Sequence, residues 1–116
     1  MTGKSTRFYS KNQENTVAKA VHGKRTANSG ATAFQKGDVQ TDNFLIECKT
    51  STSQKKSFTI HEEWLLKLVE EAFAMGKNYH ALCFDFGPDN NMRYYVITER
   101  EFNLLQNYIE EEYKND

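Results

Sequence analysis

The stretch at residues 37–50, GDVQTDNFLIECKT, constrains the fold of this chain more than any other segment. Its apolar run at 44–46 is followed by Glu47 and Lys49, which flank Cys48. Side chains alternate between the two faces of a β-strand, so the run predicts a strand on which Glu47 and Lys49 share one face. An acid and an amine are therefore brought together.

The turn-like residues 41–43 predict a hairpin that pairs this strand with the segment of Asp38. Such pairing would join Asp38 to Glu47 and Lys49. Two carboxylates at a strand edge suit a hard divalent cation, which prefers oxygen ligands, and the amine can orient a water for phosphodiester hydrolysis. An amphipathic hairpin with an ordinary solvated Glu–Lys pair is the alternative that spacing alone leaves open.

Length and composition predict one globular domain spanning residues 1–116, with 38% hydrophobic and 13% aromatic residues. No apolar run approaches the roughly 20 residues of a membrane span, and the N-terminus lacks the apolar core of a signal peptide. We therefore expect a cytoplasmic protein with no membrane partner. Cys48 and Cys83 lack zinc-type spacing and are expected to be buried thiols.

Charge is distributed unevenly along the chain. Residues 1–56 contain ten basic and four acidic residues, for a net charge of +6, whereas residues 57–116 contain five basic and twelve acidic residues, for −7. A basic half around a carboxylate cluster predicts phosphate contacts that steer DNA to the site. A merely solvated basic surface is the competing interpretation.

The predicted elements alternate between helices and short strands. The first helix is capped by Asn12 or Asn15 and ends at Gly23. An amphipathic helix is expected at 61–75, and the last helix begins with a capping box formed by Thr98 and Glu101. Strands are expected at 32–39, 44–50, 57–60, 79–86 and 92–98. Residues 1–11 are predicted to form a basic flexible arm and residues 113–116 a frayed tail. The order predicts an α/β fold in which a helical crossover returns to a parallel neighbouring strand.

This order and these residues resemble the PD-(D/E)-x-K nuclease superfamily, whose restriction-endonuclease-like core is a helix, three strands, a helix and a further strand around a mixed central sheet. Asp38 matches the first acidic position and residues 47–49 match the E-x-K element. Gly37 stands where a proline often precedes the aspartate.

Further positions resemble the Holliday junction resolvase branch, of phage or archaeal type. Glu14 resembles its extra acidic residue ahead of the strands, Ser29 its loop serine and Arg25 its basic phosphate contact. The resemblance implies a magnesium-dependent endonuclease, from a bacterial or archaeal cell or a phage, that resolves four-way junctions in recombination as a homodimer.

The implied site assigns catalysis to four residues: Glu14, Asp38, Glu47 and Lys49. Asp38, Glu47 and the backbone carbonyl of Cys48 hold Mg²⁺ or Mn²⁺, with Glu14 supporting that ion or a second one. The DNA contacts are expected from Lys24, Arg25, Ser29, Lys36, Lys55 and Lys56. Alternatives are a same-fold nuclease acting on flaps or duplex DNA, a DNA-binding module that does not cleave, and an interaction protein with an acidic partner.

Overall fold

The computed structural model describes residues 6–26, 38–88 and 92–114, with side chains from Lys11 onward. Within these residues the chain forms three helices and five strands of an α/β fold. In chain order they are α1 (Thr6–Val21), β1 (Lys24–Arg25), β2 (Val39–Gln40), β3 (Phe44–Lys49), α2 (Glu62–Ala74), β4 (Tyr79–Phe84), β5 (Tyr94–Val96) and α3 (Glu99–Lys114).

The strands form one mixed sheet in the order β1-β2-β3-β4-β5. β3 and β4 pair in parallel, and the other neighbours pair antiparallel. Parallel neighbours require a crossover connection, which α2 supplies between β3 and β4. The predicted α/β class and the helical crossover to a parallel strand are therefore confirmed.

The two faces of the sheet carry separate apolar clusters because the side chains of β3 alternate. Val17 of α1 packs on one face, with Val39, Ile46 and Cys83. On the opposite face Leu68 and Ala72 of α2 pack against Leu45 and Leu82. Glu47 and Lys49 follow Leu45 at steps of two, so the alternation assigns them to the face that α2 covers.

Two sheet predictions need correction. No strand forms at 57–60, where most residues are exposed. The strand at the outer edge of the sheet, next to β2, is instead β1. It pairs with β2 through Lys24↔Gln40 and Arg25↔Val39. A two-residue strand has no side-chain period to detect, and tertiary pairing decides its position. Of the strand predicted at 32–39, Val39 lies in β2, and residues 32–37 lie outside the described ranges.

The chain ends are more helical than expected. α1 begins at Thr6, so residues 6–11 of the predicted arm belong to a helix. No Gly or Pro occurs between Thr6 and Val21 to end it. α3 likewise continues to Lys114, within the predicted frayed tail. None of the described helices combines the length and the apolar character that crossing a bilayer demands.

Candidate metal centre

The β2–β3 hairpin brings Asp38 beside Glu47. Its register pairs Val39 with Ile46 and Gln40 with Leu45. Continued by one residue, this register places Asp38 opposite Glu47. The backbone of Asp38 is also fixed from β1, because the Thr26 amide donates a 2.6 Å hydrogen bond to the Asp38 carbonyl. The hairpin predicted from sequence thus unites the two carboxylates that it was expected to unite.

A third carboxylate reaches the same point from α2. Glu71 is buried on that helix beside Leu68 and Ala72, on the side that packs against the sheet. Carboxylate oxygens of Asp38, Glu47 and Glu71 all lie within 4.8 Å of one another. Three oxygen ligands at this spacing, from the residue before β2, from β3 and from α2, are a donor set that Mg²⁺ or Mn²⁺ prefers. We call Asp38, Glu47 and Glu71 the carboxylate cluster.

Asp38 is the least satisfied member of the cluster. Its solvent exposure is 0%, and within the described part of the chain neither of its carboxylate oxygens has a hydrogen-bond partner. Burial, followed by repulsion from Glu47, Glu71 and Glu14, raises the pKa of Asp38 to about 8, while Lys49 opposes the shift. An ionised carboxylate is strongly destabilised in such surroundings unless a cation accompanies it.

Two other buried carboxylates, those of Asp85 and Glu101, each accept several hydrogen bonds. Asp85 accepts hydrogen bonds from the Thr50 hydroxyl at 3.0 Å, the Gln13 side-chain amide at 3.1 Å and the Gly87 backbone amide at 3.0 Å. Glu101 accepts three more, from Thr98 and from the His80 backbone amide. The fold therefore satisfies buried acids where their role is structural, and Asp38 departs from that rule.

Lys49 lies at the edge of the cluster. Its Nζ is 3.6 Å from Glu47 Oε2 and 4.3 Å from the centre of the Trp64 ring. The carboxylate and the negative face of the indole both attract the ammonium group. The Lys49 backbone is held from α1, since the side-chain amide of Gln13 donates a 2.8 Å hydrogen bond to its carbonyl. The strand alternation therefore predicted the Glu47–Lys49 pairing correctly.

Glu14 is close to the cluster without being a member. It is buried at 5% exposure on α1, and its Oε1 accepts a 3.2 Å hydrogen bond from Arg25 Nε. Burial raises the pKa of Glu14, and the Arg25 guanidinium opposes that shift. The charge of Glu14 reaches Asp38, whose pKa it helps to raise. Arg25, for which we predict a DNA contact, thus also neutralises a buried acid.

The remaining predicted residues are spread over the molecule. Cys48, whose backbone carbonyl we predict as a ligand, pairs with Cys83 in the β3–β4 register. Lys24, Lys55 and Lys56 are exposed, whereas Ser29 and Lys36 lie outside the described residues.

The segment that carries Lys55 and Lys56 is fixed to the turn after β4. The Lys55 amide donates a 2.6 Å hydrogen bond to the Phe86 carbonyl. A Cβ on Gly87 would approach Gln54 Cα to 2.6 Å, so this contact requires glycine.

Sequence reasoning missed Glu71, although a signal exists. The apolar face of α2 includes Trp64, Leu65, Leu68 and Ala72, and Glu71 falls between them at a spacing of three from Leu68. An acid within an apolar helix face is unusual, because burying its charge is unfavourable. Comparisons of the chain with protein-family models, with curated proteins and with solved structures find no match, so the site is interpreted from its own residues.

Proposed function

We propose that this protein is a divalent-metal-dependent DNA endonuclease whose centre is the carboxylate cluster with Lys49. The observation that carries the proposal is the Asp38 carboxylate, which is fully buried without a hydrogen-bond partner in the described structure and lies beside Glu47 and Glu71. Asp38, Glu47 and Glu71 would hold Mg²⁺ or Mn²⁺. A bound ion of this kind stabilises charge on a phosphoryl oxygen and lowers the pKa of a water.

Lys49 supplies the second part of the proposed chemistry. Its ammonium is held between Glu47 and the Trp64 ring, so a fixed positive charge stands next to the cluster. A preorganised charge of this kind stabilises the negative charge that develops on a phosphate during hydrolysis. A long flexible lysine side chain in solvent lacks this advantage, since it must be ordered at the moment of reaction. We therefore assign Lys49 to phosphate stabilisation and water orientation.

The order of the elements supports a restriction-endonuclease-like core. A helix, a β-meander that ends in β3, the crossover helix α2 and the parallel strand β4 follow one another as that core requires. The two-residue length of β1 and β2 is the departure from it within the described residues. We propose this core together with the nuclease function, since the same experiments test both.

DNA is the proposed substrate because exposed basic residues flank the site in sequence. Lys24, Lys55 and Lys56 are exposed, and Arg25 retains 37% side-chain exposure beside Glu14. Cationic side chains of this kind bind phosphates without reading sequence. Binding through phosphates favours recognition of DNA shape over sequence. We therefore propose branched DNA, foremost four-way junctions, as the preferred substrate class.

The test is a cleavage assay with a labelled immobile four-way junction, a flap and a linear duplex, each with Mg²⁺ or EDTA. We expect metal-dependent incision by the wild-type protein and its loss in Lys49→Ala and Glu71→Gln, with DNA binding retained. Glu70→Gln is the matched control, because Glu70 is the exposed neighbour on the same helix. Metal-dependent cleavage that persists in both Lys49→Ala and Glu71→Gln would contradict the assignment.

The three DNA substrates distinguish a junction resolvase from the alternative functions. Paired incisions in the junction support resolution of branched DNA, and cleavage of the flap or duplex alone keeps the metal centre but replaces the substrate. Tight DNA binding without cleavage in the presence of Mg²⁺ or Mn²⁺ would identify a binding module.

Metal binding is measured independently from the thermal stability of the protein with and without Mg²⁺, because an ion that binds only the native state raises the melting temperature.

A further inference from the structure

Five aromatic side chains gather around the carboxyl end of β4. We call them the aromatic platform: Phe58, Trp64, Phe84, Phe86 and Tyr94. Phe84 stacks on Phe58 with ring centroids 4.6 Å apart and on Tyr94 at 5.6 Å. Phe86 meets the rings of Phe84 and Tyr94 edge to face, each at 5.6 Å. Trp64 lies 6.2 Å from Phe58, so the five rings form one connected group.

The platform lies on the same face of the sheet as the carboxylate cluster. The register pairs Lys49 with Phe84 and Phe84 with Tyr94. Side chains of directly paired residues point to the same face, so Phe84 and Tyr94 continue the row that begins at Lys49. Trp64 connects the two features, because the Lys49 ammonium lies 4.3 Å from its ring centre. A DNA strand with a phosphate at Lys49 would therefore bring a neighbouring base to these rings.

The rings form a surface and not a core. None of the five platform residues is buried, and Tyr94 on the edge strand β5 is 40% exposed. The leucines that α2 covers on this face, Leu45, Leu68 and Leu82, are 0% exposed. An accessible group of apolar rings beside a polar site is typical of a binding surface. A row of stacked rings that ends at an exposed tyrosine can accept a further planar ring.

Basic residues come from the same part of the backbone as the rings. Lys55 and Lys56 are exposed and precede Phe58 by three and two positions. The 2.6 Å hydrogen bond from the Lys55 amide ends on the carbonyl of Phe86, which is itself a platform residue. Lysines beside accessible aromatic rings bind single-stranded nucleic acid, because the lysines contact phosphates and every base has a face that can stack. In a duplex the neighbouring base pairs cover those faces, so the rings reach only an unpaired base.

We propose that the aromatic platform stacks an unpaired nucleobase of DNA next to the phosphate at the metal centre. The inference rests on the proposed function, since the phosphate site identifies the neighbouring ligand as a nucleotide. Tyr94 is the ring that the base contacts, because it is the most exposed of the five and ends the stacked row. The platform would thus select DNA with an unpaired nucleotide, at a flap or an opened branch point, over continuous duplex.

Binding is measured in EDTA, so that it does not depend on cleavage. The probes are an oligothymidylate of about 12 nucleotides, the same backbone with abasic sites in place of the bases, and a blunt duplex. The abasic chain keeps the phosphates, so a dissociation constant at least about tenfold higher than that of oligothymidylate isolates stacking of the bases. Trp64 is the only tryptophan of the chain, and its fluorescence should change more with oligothymidylate than with the abasic chain.

Substitutions then locate the stacking ring. Tyr94→Ala should raise the dissociation constant for oligothymidylate at least about fivefold and that for duplex less than about twofold. Tyr94→Phe restores the ring and should recover most of the affinity. The matched control is Tyr108→Ala, because Tyr108 is 66% exposed on α3, whose first turn is tied to the opposite end of β4 by the hydrogen bond from the His80 amide to Glu101. Circular dichroism shows whether each variant is folded.

The abasic probe requires no change to the protein, so it tests the inference even if Tyr94→Ala unfolds. Equal affinity for oligothymidylate and the abasic chain, or no binding of either, would overturn the inference. A Tyr94→Ala variant that loses duplex binding as much as single-strand binding would also overturn it. Failure of the nuclease proposal is a separate result. Metal-dependent cleavage without base-dependent binding refutes the platform alone, whereas base-dependent binding without cleavage refutes the nuclease alone.

Discussion

Replacing Asp38 with asparagine should stabilise the metal-free protein. The pKa of Asp38 is about 8 in the folded chain because of burial and the neighbouring carboxylates. In the unfolded chain it is about 3.9, and each unit of difference corresponds to about 1.4 kcal/mol. The folded state therefore binds more protons than the unfolded state between these values, so stability falls as the pH rises from about 4 to about 8.

At about pH 8 the full difference amounts to about 5 kcal/mol. Burial is the largest cause of this difference, followed by repulsion from the neighbouring acids, and the polar amide of asparagine is buried as well. We therefore expect Asp38→Asn to recover roughly half, about 2–3 kcal/mol in the free energy of unfolding. At about pH 5 the gain should fall below about 1 kcal/mol, because the wild-type carboxyl is then largely protonated. An asparagine of the same shape does not titrate and keeps the packing.

The assay is urea unfolding in EDTA at both pH values, followed by repetition with Mg²⁺. Asp42→Asn is the matched control, since Asp42 is exposed on the same hairpin and should change neither curve. Saturation with Mg²⁺ at about 100 times the dissociation constant should stabilise the wild type by about 2.7 kcal/mol and Asp38→Asn much less. If Asp38→Asn is less stable than the wild type in EDTA at about pH 8, the cluster is not electrostatically strained and our reasoning is refuted.

Three further changes probe the structure around the site. Glu101→Ala should lower the free energy of unfolding by about 2–3 kcal/mol, because it removes the cap of α3 and the hydrogen bond to β4. The control Glu99→Ala should change it by less than about 0.5 kcal/mol, and urea titration measures both. Asp85→Ala should cost a similar amount, about 2–3 kcal/mol, because it leaves its three donors unpaired, and an unchanged urea midpoint would contradict that structural role. The double variant Lys55→Ala and Lys56→Ala should keep the wild-type melting temperature but reduce the slope of log K against log salt for duplex DNA by about 2, and an unchanged slope would show that these lysines do not contact phosphate.

The features that were predicted correctly depend on local sequence patterns. The alternation in β3 set the faces of Glu47 and Lys49, and the turn residues at 41–43 set the hairpin. The Thr98–Glu101 capping box is present, with the Glu101 amide donating to Thr98 Oγ1 at 3.2 Å and Glu101 Oε1 accepting from the Thr98 amide at 2.9 Å. Each of these features depends on residues within a few positions of one another.

The missed features depend on distant contacts. The sequence analysis does not single out Glu71, whereas the packing of α2 on β3 and β4 buries it beside Asp38 and Glu47. β1 is a strand because Lys24 and Arg25 pair with β2, and nothing in their own sequence favours a strand over a loop. The structure pairs Glu14, the additional acid that the resemblance implies, with Arg25, and its part in metal binding stays a prediction. Periodicity locates elements, but it does not show which polar side chain a crossover helix brings to a strand.

The balance of charge explains why a divalent ion suits this site. Three ionised carboxylates and the ammonium of Lys49 leave a net charge of −2 around the cluster. Glu14 is paired with Arg25, and this pair adds no net charge to the centre. A doubly charged ion with oxygen ligands would neutralise the net charge of the centre. Because the pKa of Asp38 is raised to about 8, its carboxyl keeps a proton at neutral pH, and that proton neutralises half of the net charge. Metal uptake should therefore release a proton, and the heat of Mg²⁺ binding at neutral pH should vary with the ionisation enthalpy of the buffer. If the heat of Mg²⁺ binding is the same in phosphate and in Tris, Asp38 is already ionised before the metal binds. Lys49 would then have to offset more of the negative charge of the cluster than its single contact with Glu47 suggests.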